Sequence, residues 1–355
     1  MIYKYRDRDF TGIDGHMFVH NGITEENAPF YVEDLSGQAN TLTIGKTSGV
    51  PTIVVEKSSN GINWESMEVV NNKFTATVPA NGRLYLRCST TAWNGHKIYL
   101  TGEYEVGGNI MSLLYGKKYT GKETSFPSTT GGEFSSLFAA SPIVYASNLK
   151  LPALSLNTLS YYGMFYGCRR LITPPELPAT SLAGGCYTYM FYSCLALTTA
   201  PNLPAITMFQ NCYSHMFYSC IALTAAPNLP AIALAQGCYS YMFDNCRAMT
   251  TVPTTLPATT LAPDCYEGMF GYCELLATAP ILPATKLVDN CYGNMFKDCT
   301  NLNYIKCLAD VKGDTTNTSS WCSGVSATGT FVKNSSTYWT RGESGTPTGW
   351  TIQNA

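Results

Sequence analysis

Hydrophobic positions in the second half of the chain recur with a period of 26 or 27 residues. The tripeptide Leu-Pro-Ala begins at residues 151, 177, 203, 229, 256 and 282, and a Met-Phe pair follows in step each time. A fixed period in the twenties is typical of a solenoid, whose units bury their apolar sides only against one another. The pattern therefore predicts six stacked repeats within residues 133–308.

Five of the six repeats contain the segment Cys-Tyr-x-x-Met-Phe-x-x-Cys, and the first repeat has Ser160 in place of the leading cysteine. Apolar spacing near 3.6 residues predicts a short helix here. The Thr/Ala-rich segment that follows is predicted to be a strand, shortened by prolines that cannot donate to a sheet. The internal ladder is expected to consist of Phe165, Phe191, Phe217, Phe243, Phe270 and Phe296 with Cys168, Cys194, Cys220, Cys246, Cys273 and Cys299.

The first half of the chain shows a different pattern. Short alternating runs at 41–44, 52–56, 74–78, 83–87 and 97–104 are separated by Asn-Gly and Asn-Asn turn sequences, which predicts an Ig-like β-sandwich over 33–106. Residues 1–32 are interpreted as an arm, 107–132 as a joint and 309–355 as a C-terminal cap. The predicted fold class is thus multidomain: a β-sandwich followed by an α/β solenoid of six repeats and a cap.

Composition narrows the range of functions. Only 13% of the residues are charged and the net charge is −2, so nucleic acid, which requires a dense basic surface, is excluded as a partner. Residues 177–243 contain no Asp, Glu, Lys or Arg at all. Such a span must be solubilised by Tyr, Ser, Thr, Asn and Gln, or be covered by a partner. No run approaches the ~20 apolar residues of a membrane-spanning helix.

The cysteine spacing favours buried free thiols over disulfides or metal sites. Two cysteines eight residues apart on a helix lie ~12 Å apart, which is too far for a disulfide. No Cys-x-x-Cys or Cys/His cluster has zinc-ligand spacing. We therefore expect no metal and no cofactor.

The sequence of residues 177–199, with Leu-Pro-Ala-Thr, Cys-Tyr, Met-Phe and Cys-x-x-Leu-Thr, resembles the BspA-like branch of leucine-rich repeats. Such proteins occur on the surfaces of gut Bacteroidetes and in the genomes of their tailed phages. The resemblance covers residues 130–310 strongly, and the segments 58–64 and 107–116 look like the sandwich and joint that precede such repeats. It implies a leucine-rich-repeat-like solenoid used for adhesion or display, with no catalytic residues.

Two biological settings are compatible with this resemblance. The first ten residues lack the apolar run of a signal peptide, which favours a phage virion protein, a fibre or decoration component assembled in the host cytoplasm and exposed on the particle. A bacterial cell-surface adhesin is the alternative. Residues 1–106 would then contact other virion proteins and the solenoid a host glycan or protein, and homo-oligomerisation stays open.

An enzyme is the third class and is disfavoured. Glycoside hydrolysis usually needs two carboxylates ~5–10 Å apart, and the middle of the repeats has none.

The predicted contact surface consists of aromatic residues beside the constant Tyr-Met-Phe core, on the outward face of the predicted helices. These residues are Tyr189, Tyr192, His215, Tyr218 and Tyr241. The alternative interpretation is that these residues form only the polar-tipped exterior of the repeats.

Overall fold

The computed structural model describes residues 27–46, 53–88, 93, 95–312 and 315–355. Most of the predicted N-terminal arm, residues 1–26, lies outside these ranges. The described strands are β1 (Tyr31–Asp34), β2 (Asn40–Lys46), β3 (Val55–Ser58), β4 (Glu65–Ser66), β5 (Val69–Val70), β6 (Lys73–Val78), β7 (Arg83–Cys88), β8 (His96–Leu100), β9 (Tyr104–Asn109), β10 (Ile143–Tyr145), β11 (Leu149–Lys150), β12 (Tyr304–Cys307), β13 (Thr330–Lys333) and β14 (Thr351–Asn354).

Strands β1 to β11 form two sheets. One has the order β10-β9-β1-β7-β3-β4, with β11 also paired to β9, and the other has the order β5-β6-β2-β8. Burial alternates along these strands, as in β6, where Phe74, Ala76 and Val78 are buried and the residues between them are exposed. Alternation with a period of two places one face of each sheet against a shared core.

The predicted helices of the repeats are wrong, and with them the predicted α/β solenoid of leucine-rich-repeat type. In the described part of the chain the only α-helix is α1 (Ser112–Tyr115), which continues as a 3-10 turn at Gly116–Lys118 and lies outside the repeats. A second 3-10 turn covers Thr316–Thr318. Between Leu156 and Leu302 the backbone forms consecutive turns and isolated bridges.

Backbone hydrogen bonds show what replaces the helix. In the second repeat the N–H of Met190 donates to the carbonyl of Tyr187, three residues earlier, while the N–H of Phe191 donates to the carbonyl of Met216 in the next repeat, at 2.9 Å. The alternation continues along the segment, so every second amide bonds within its repeat and the others bond to the next repeat. We call this arrangement the turn ladder.

Left-handed residues make the turn ladder possible. Within the Cys-Tyr segment of each repeat, every fourth residue has a φ between 50° and 70°. In the second repeat these residues are Gly185, Tyr189 and Ser193. Tyr189 occupies the third position of the turn Tyr187–Met190, where a type II turn requires a positive φ. Left-handed backbone is incompatible with a right-handed helix, so the same apolar spacing is achieved by turns.

The interior of the repeats is built from two columns of rings. Tyr161, Tyr187, Tyr213, Tyr239, Tyr266 and Tyr292 stack at 5.6–6.0 Å between centroids. The six phenylalanines of the Met-Phe pairs, which are 0% exposed, stack beside them at 5.4–5.9 Å. Phe134 and Phe138 close the columns at one end and Trp321 at the other.

The second cysteine of each repeat supports the phenylalanine column. The Cys220 thiol donates to the Phe191 carbonyl at 3.1 Å, and the same contact recurs from Cys168 to Cys299 at 3.0–3.3 Å. All fourteen cysteines are free and buried. The thiols therefore act as small core residues that also bridge adjacent repeats.

The first repeat departs from this pattern for a visible reason. Ser160, which stands where the other repeats have their first cysteine, donates to the buried Glu133 carboxylate at 3.0 Å, and Asn157 donates to its other oxygen at 2.9 Å. A buried carboxylate requires such donors. Ser160 thus serves the junction with the opening segment, which the Ile98–Leu137 backbone hydrogen bond of 2.8 Å joins to the sheets.

Candidate functional site: a tyrosine groove

One exposed and six half-buried aromatic residues converge on one side of the first four repeats. They line an open groove of about 680 Å³ together with Lys97, Ser136, Ala139 and Gly163. This volume lies within the range of small-molecule sites. The aromatic lining residues are Tyr162, Tyr166, Tyr189, Tyr192, His215, Tyr218 and Tyr241, and we call the site the tyrosine groove.

The outer row of the tyrosine groove consists of Tyr166, Tyr192 and Tyr218. Their rings are nearly parallel and their centroids lie 4.7 Å and 4.8 Å apart. Because these residues occupy the same position in successive repeats, the turn ladder brings them into register. Both faces of Tyr192 are covered by its neighbours, so the row presents ring edges and hydroxyl groups.

The inner row consists of Tyr189, His215 and Tyr241, with centroids 4.9 Å and 5.0 Å apart. All three have left-handed backbone, with φ values of 58°, 55° and 53°. Each such residue costs about 1–2 kcal/mol relative to a right-handed conformation. Amide hydrogen bonds to the next repeat, such as that from Tyr241 to Glu267 at 2.7 Å, hold the backbone there.

Tyr189 lies crosswise to the outer row. Its ring makes interplanar angles of 74° with Tyr166 and 71° with Tyr192. Since both faces of Tyr192 are covered, the Tyr192 edge meets the face of Tyr189, an arrangement that aromatic quadrupoles favour. The seven aromatic side chains therefore form one continuous surface.

The electrostatics of the groove are those of neutral polar groups. Burial lowers the pKa of His215 to about 4, so its imidazole is uncharged at neutral pH, and the Ser214 hydroxyl lies 2.8 Å from its Nδ1. Burial also raises the pKa of Tyr192 and of Tyr218. The phenols therefore remain hydrogen-bond donors and acceptors.

Charged groups lie at the ends of the groove. Lys97 reaches it from β8 at one end. At the other end the Tyr241 hydroxyl donates to Glu267 at 2.9 Å, and Asp244 follows Tyr218 in the same repeat position. Burial raises the pKa of Asp244 to about 7, against the opposing effect of Lys297.

The structure brings all five sequence-predicted contact residues, Tyr189, Tyr192, His215, Tyr218 and Tyr241, into this one groove. Their surroundings differ from the prediction, because they project from turns and not from a helix. That they contact a ligand stays a prediction. The predicted ladder residues lie behind the groove in the core.

Sequence reasoning missed Tyr162, Tyr166 and Lys97. Tyr166 stands 26 residues before Tyr192 and could have been found by aligning the first repeat with the second. Restricting attention to the charge-free span excluded it. Lys97 carries no repeat signal, since it belongs to a different part of the chain.

The described residues give little support to a metal site or a membrane-spanning helix. They contain no group of three or more His, Cys, Asp or Glu side chains placed to hold a metal ion. Across the same residues, no helix is long and apolar enough to cross a membrane. Comparisons with family models, with curated proteins and with solved structures found no match to this chain.

Proposed function

We propose that this chain is a non-enzymatic adhesive protein and that the tyrosine groove is its contact surface. The observation that carries the proposal is the convergence of seven exposed or half-buried aromatic side chains from four repeats in one groove. Aromatic residues are enriched where proteins bind partners, because they offer large contact area at low entropic cost. Packing of the repeats does not require them, since the core has its own ring columns.

Two features support binding over catalysis. The described residues that line the groove include no carboxylate. The imidazole among them, His215, has a pKa lowered to about 4 by burial, well below that of an effective general base at neutral pH. Burial raises the pKa of Tyr192 and of Tyr218, which keeps these phenols protonated as donors and acceptors. These groups suit recognition by hydrogen bonds and ring contacts.

We further propose that the protein is displayed on a phage virion, with the sheets toward the particle and the groove toward the host. It is supported by the resemblance of residues 130–310 to repeats encoded by gut Bacteroidetes and their tailed phages. Antibody labelling of phage particles in electron micrographs tests this part. Label on the bacterial cell surface alone would favour the adhesin reading.

A triple variant tests the contact surface. We expect Tyr189→Ala, Tyr192→Ala and Tyr218→Ala together to weaken attachment of the full chain to gut Bacteroidetes cells at least about tenfold, as for the loss of hot-spot aromatics. The matched control replaces Tyr145, Tyr272 and Tyr338, which are exposed and lie outside the groove. Undiminished attachment by a folded groove variant would contradict the proposal.

A further inference from the structure

We infer that the tyrosine groove binds a neutral, extended oligosaccharide that lies along the stacking direction with one sugar residue per repeat. This inference rests on the proposed function, which it deepens by naming the class of ligand. Three observations carry it: the spacing of the rows, the groups that they present and the distribution of charge.

The spacing of the rows excludes an extended peptide as a matching ligand. Equivalent groups recur every 4.7–4.8 Å in the outer row and every 4.9–5.0 Å in the inner row. Side chains on one face of a β-strand recur every ~6.6–6.8 Å, so a strand would lose register within two repeats. An extended β-linked pyranose chain advances by one ring and one glycosidic oxygen per residue, a shorter repeat than that of a strand and one that matches a single repeat of the protein more closely.

A helical peptide fits the groove less well for a chemical reason. Its turns recur every ~5.4 Å, but it binds grooves by burying apolar side chains in them. The outer row offers mainly the edges and hydroxyls of Tyr166, Tyr192 and Tyr218, because both faces of Tyr192 and one face of each neighbour are covered by stacking. Sugar hydroxyls can both donate to and accept from such phenols.

The charge distribution favours a neutral chain. The span from Leu177 to Phe243 carries no formal charge, and the pKa of His215 is lowered to about 4. Lys97 and Glu267, of opposite sign, stand at the two ends. Among the described residues, an acidic polysaccharide would therefore meet one cation, Lys97, and no basic row, whereas a neutral one meets uncharged donors and acceptors over four repeats.

The test measures binding of the full chain to neutral linear gluco-, manno- and xylo-oligosaccharides of increasing length, and to oligogalacturonides as the acidic comparator. For at least one neutral series, affinity should rise with length up to about four sugar residues and then level off. The acidic series should bind at least about tenfold more weakly.

Phenylalanine variants isolate the hydroxyl groups. Tyr192→Phe with Tyr218→Phe keeps the ring stack and should weaken binding of the best neutral tetrasaccharide by about tenfold, as for two lost neutral hydrogen bonds. Tyr272→Phe, an exposed tyrosine outside the groove, should bind like the wild type.

The possible outcomes distinguish failure of the oligosaccharide inference from failure of the proposed contact surface. Attachment to cells without binding of any neutral series, abolished by protease treatment of the cells, would overturn the oligosaccharide and leave the contact surface standing as a protein-binding site. Preference for the acidic series, or affinity independent of length, would also overturn the inference. Attachment that is insensitive to the alanine triple variant would overturn the proposed function itself.

Discussion

Hydrophobic periodicity corresponds to different backbone structures in the two halves of the molecule. In the N-terminal sheets, buried and exposed residues alternate, as along β6 and β7, and a period of two is produced only by a strand. In the repeats, buried pairs such as Cys186-Tyr187 and Met190-Phe191 recur every four residues. Over two turns this spacing is also that of a helix, so the pattern alone does not decide the backbone.

Backbone conformation in the repeats is therefore decided by the residues between the buried pairs. The eighteen left-handed positions of the six repeats include five Gly, four Asn and two Asp, residue types that tolerate this conformation. They recur at intervals of four, whereas a helix would disfavour them throughout. That signal was present in the sequence and outweighs the apolar spacing.

The largest effect that would sharpen this comparison is expected from Phe217→Ala. It should lower the free energy of unfolding by about 3–5 kcal/mol, because a buried ring leaves a cavity. Since Phe217 stacks on Phe191 and Phe243, hydrogen exchange should accelerate in the neighbouring repeats. Phe74→Ala in β6 should confine the acceleration to the sheets; uniform exchange in both variants would contradict the distinction.

Adjacent glycines give the next largest effect. Gly185 has a φ of 62° and an added Cβ would lie 2.7 Å from Leu159 Cδ2, whereas Gly184 has no positive φ and its nearest contact would be 3.8 Å. Gly185→Ala should cost about 1–2 kcal/mol and Gly184→Ala close to nothing, as measured by denaturant unfolding. In a helix both changes would stabilise the protein, so a higher free energy of unfolding for Gly185→Ala would contradict the turn ladder.

The thiol bridges contribute less. Cys220→Ala removes the donor to the Phe191 carbonyl and a small buried volume, so we expect a loss of about 1 kcal/mol. Cys220→Ser, which keeps a donor, tests whether the hydrogen bond or the volume matters more. Equal stability of all three proteins in thermal melts would argue against a bridging role.

A separate effect concerns the pH dependence of stability. Burial raises the pKa of Asp244 from its ordinary value of 3.8 to about 7, so the folded state holds a proton that the unfolded state has released in this interval. Stability from this group is therefore present below about pH 4 and declines as pH rises to about 7. Asp244→Asn should remove that decline.

His215 acts in the opposite direction and provides the control. Its pKa is lowered from 6.5 to about 4, so its contribution to stability is lost as pH falls through this range. Unfolding free energies of His215→Gln and Asp244→Asn across pH 4–8 should thus deviate from wild type with opposite slopes. Parallel curves for both variants would refute the assignment.

Much of the molecule could be predicted from the sequence where a pattern has one physical solution. Alternation placed the strands at 41–44, 74–78 and 83–87 close to β2, β6 and β7. The strand predicted at 52–56 begins outside the described residues and otherwise overlaps β3. The 26-residue period indicated that the five predicted contact residues recur at equivalent positions on one outward face, and in the structure they project from turns into one groove.

The rest could not be predicted, for identifiable reasons. A helix was expected in each repeat because Tyr, Met and Cys spacing was judged without the left-handed residues between them. The crosswise orientation of Tyr189 depends on Tyr166 from another repeat. Lys97 reaches the groove through the pairing of Ile98 with Leu137, a long-range contact without a local signal.

The most direct test of the turn ladder is a crystal structure of the full chain read at the inner and outer rows. We expect positive φ near 55° at Tyr189, His215 and Tyr241, with the rings of Tyr166, Tyr192 and Tyr218 stacked 4.7–4.8 Å apart. Negative φ at those three residues, with helical bonds from each amide to the carbonyl four residues earlier across 186–194, would contradict it.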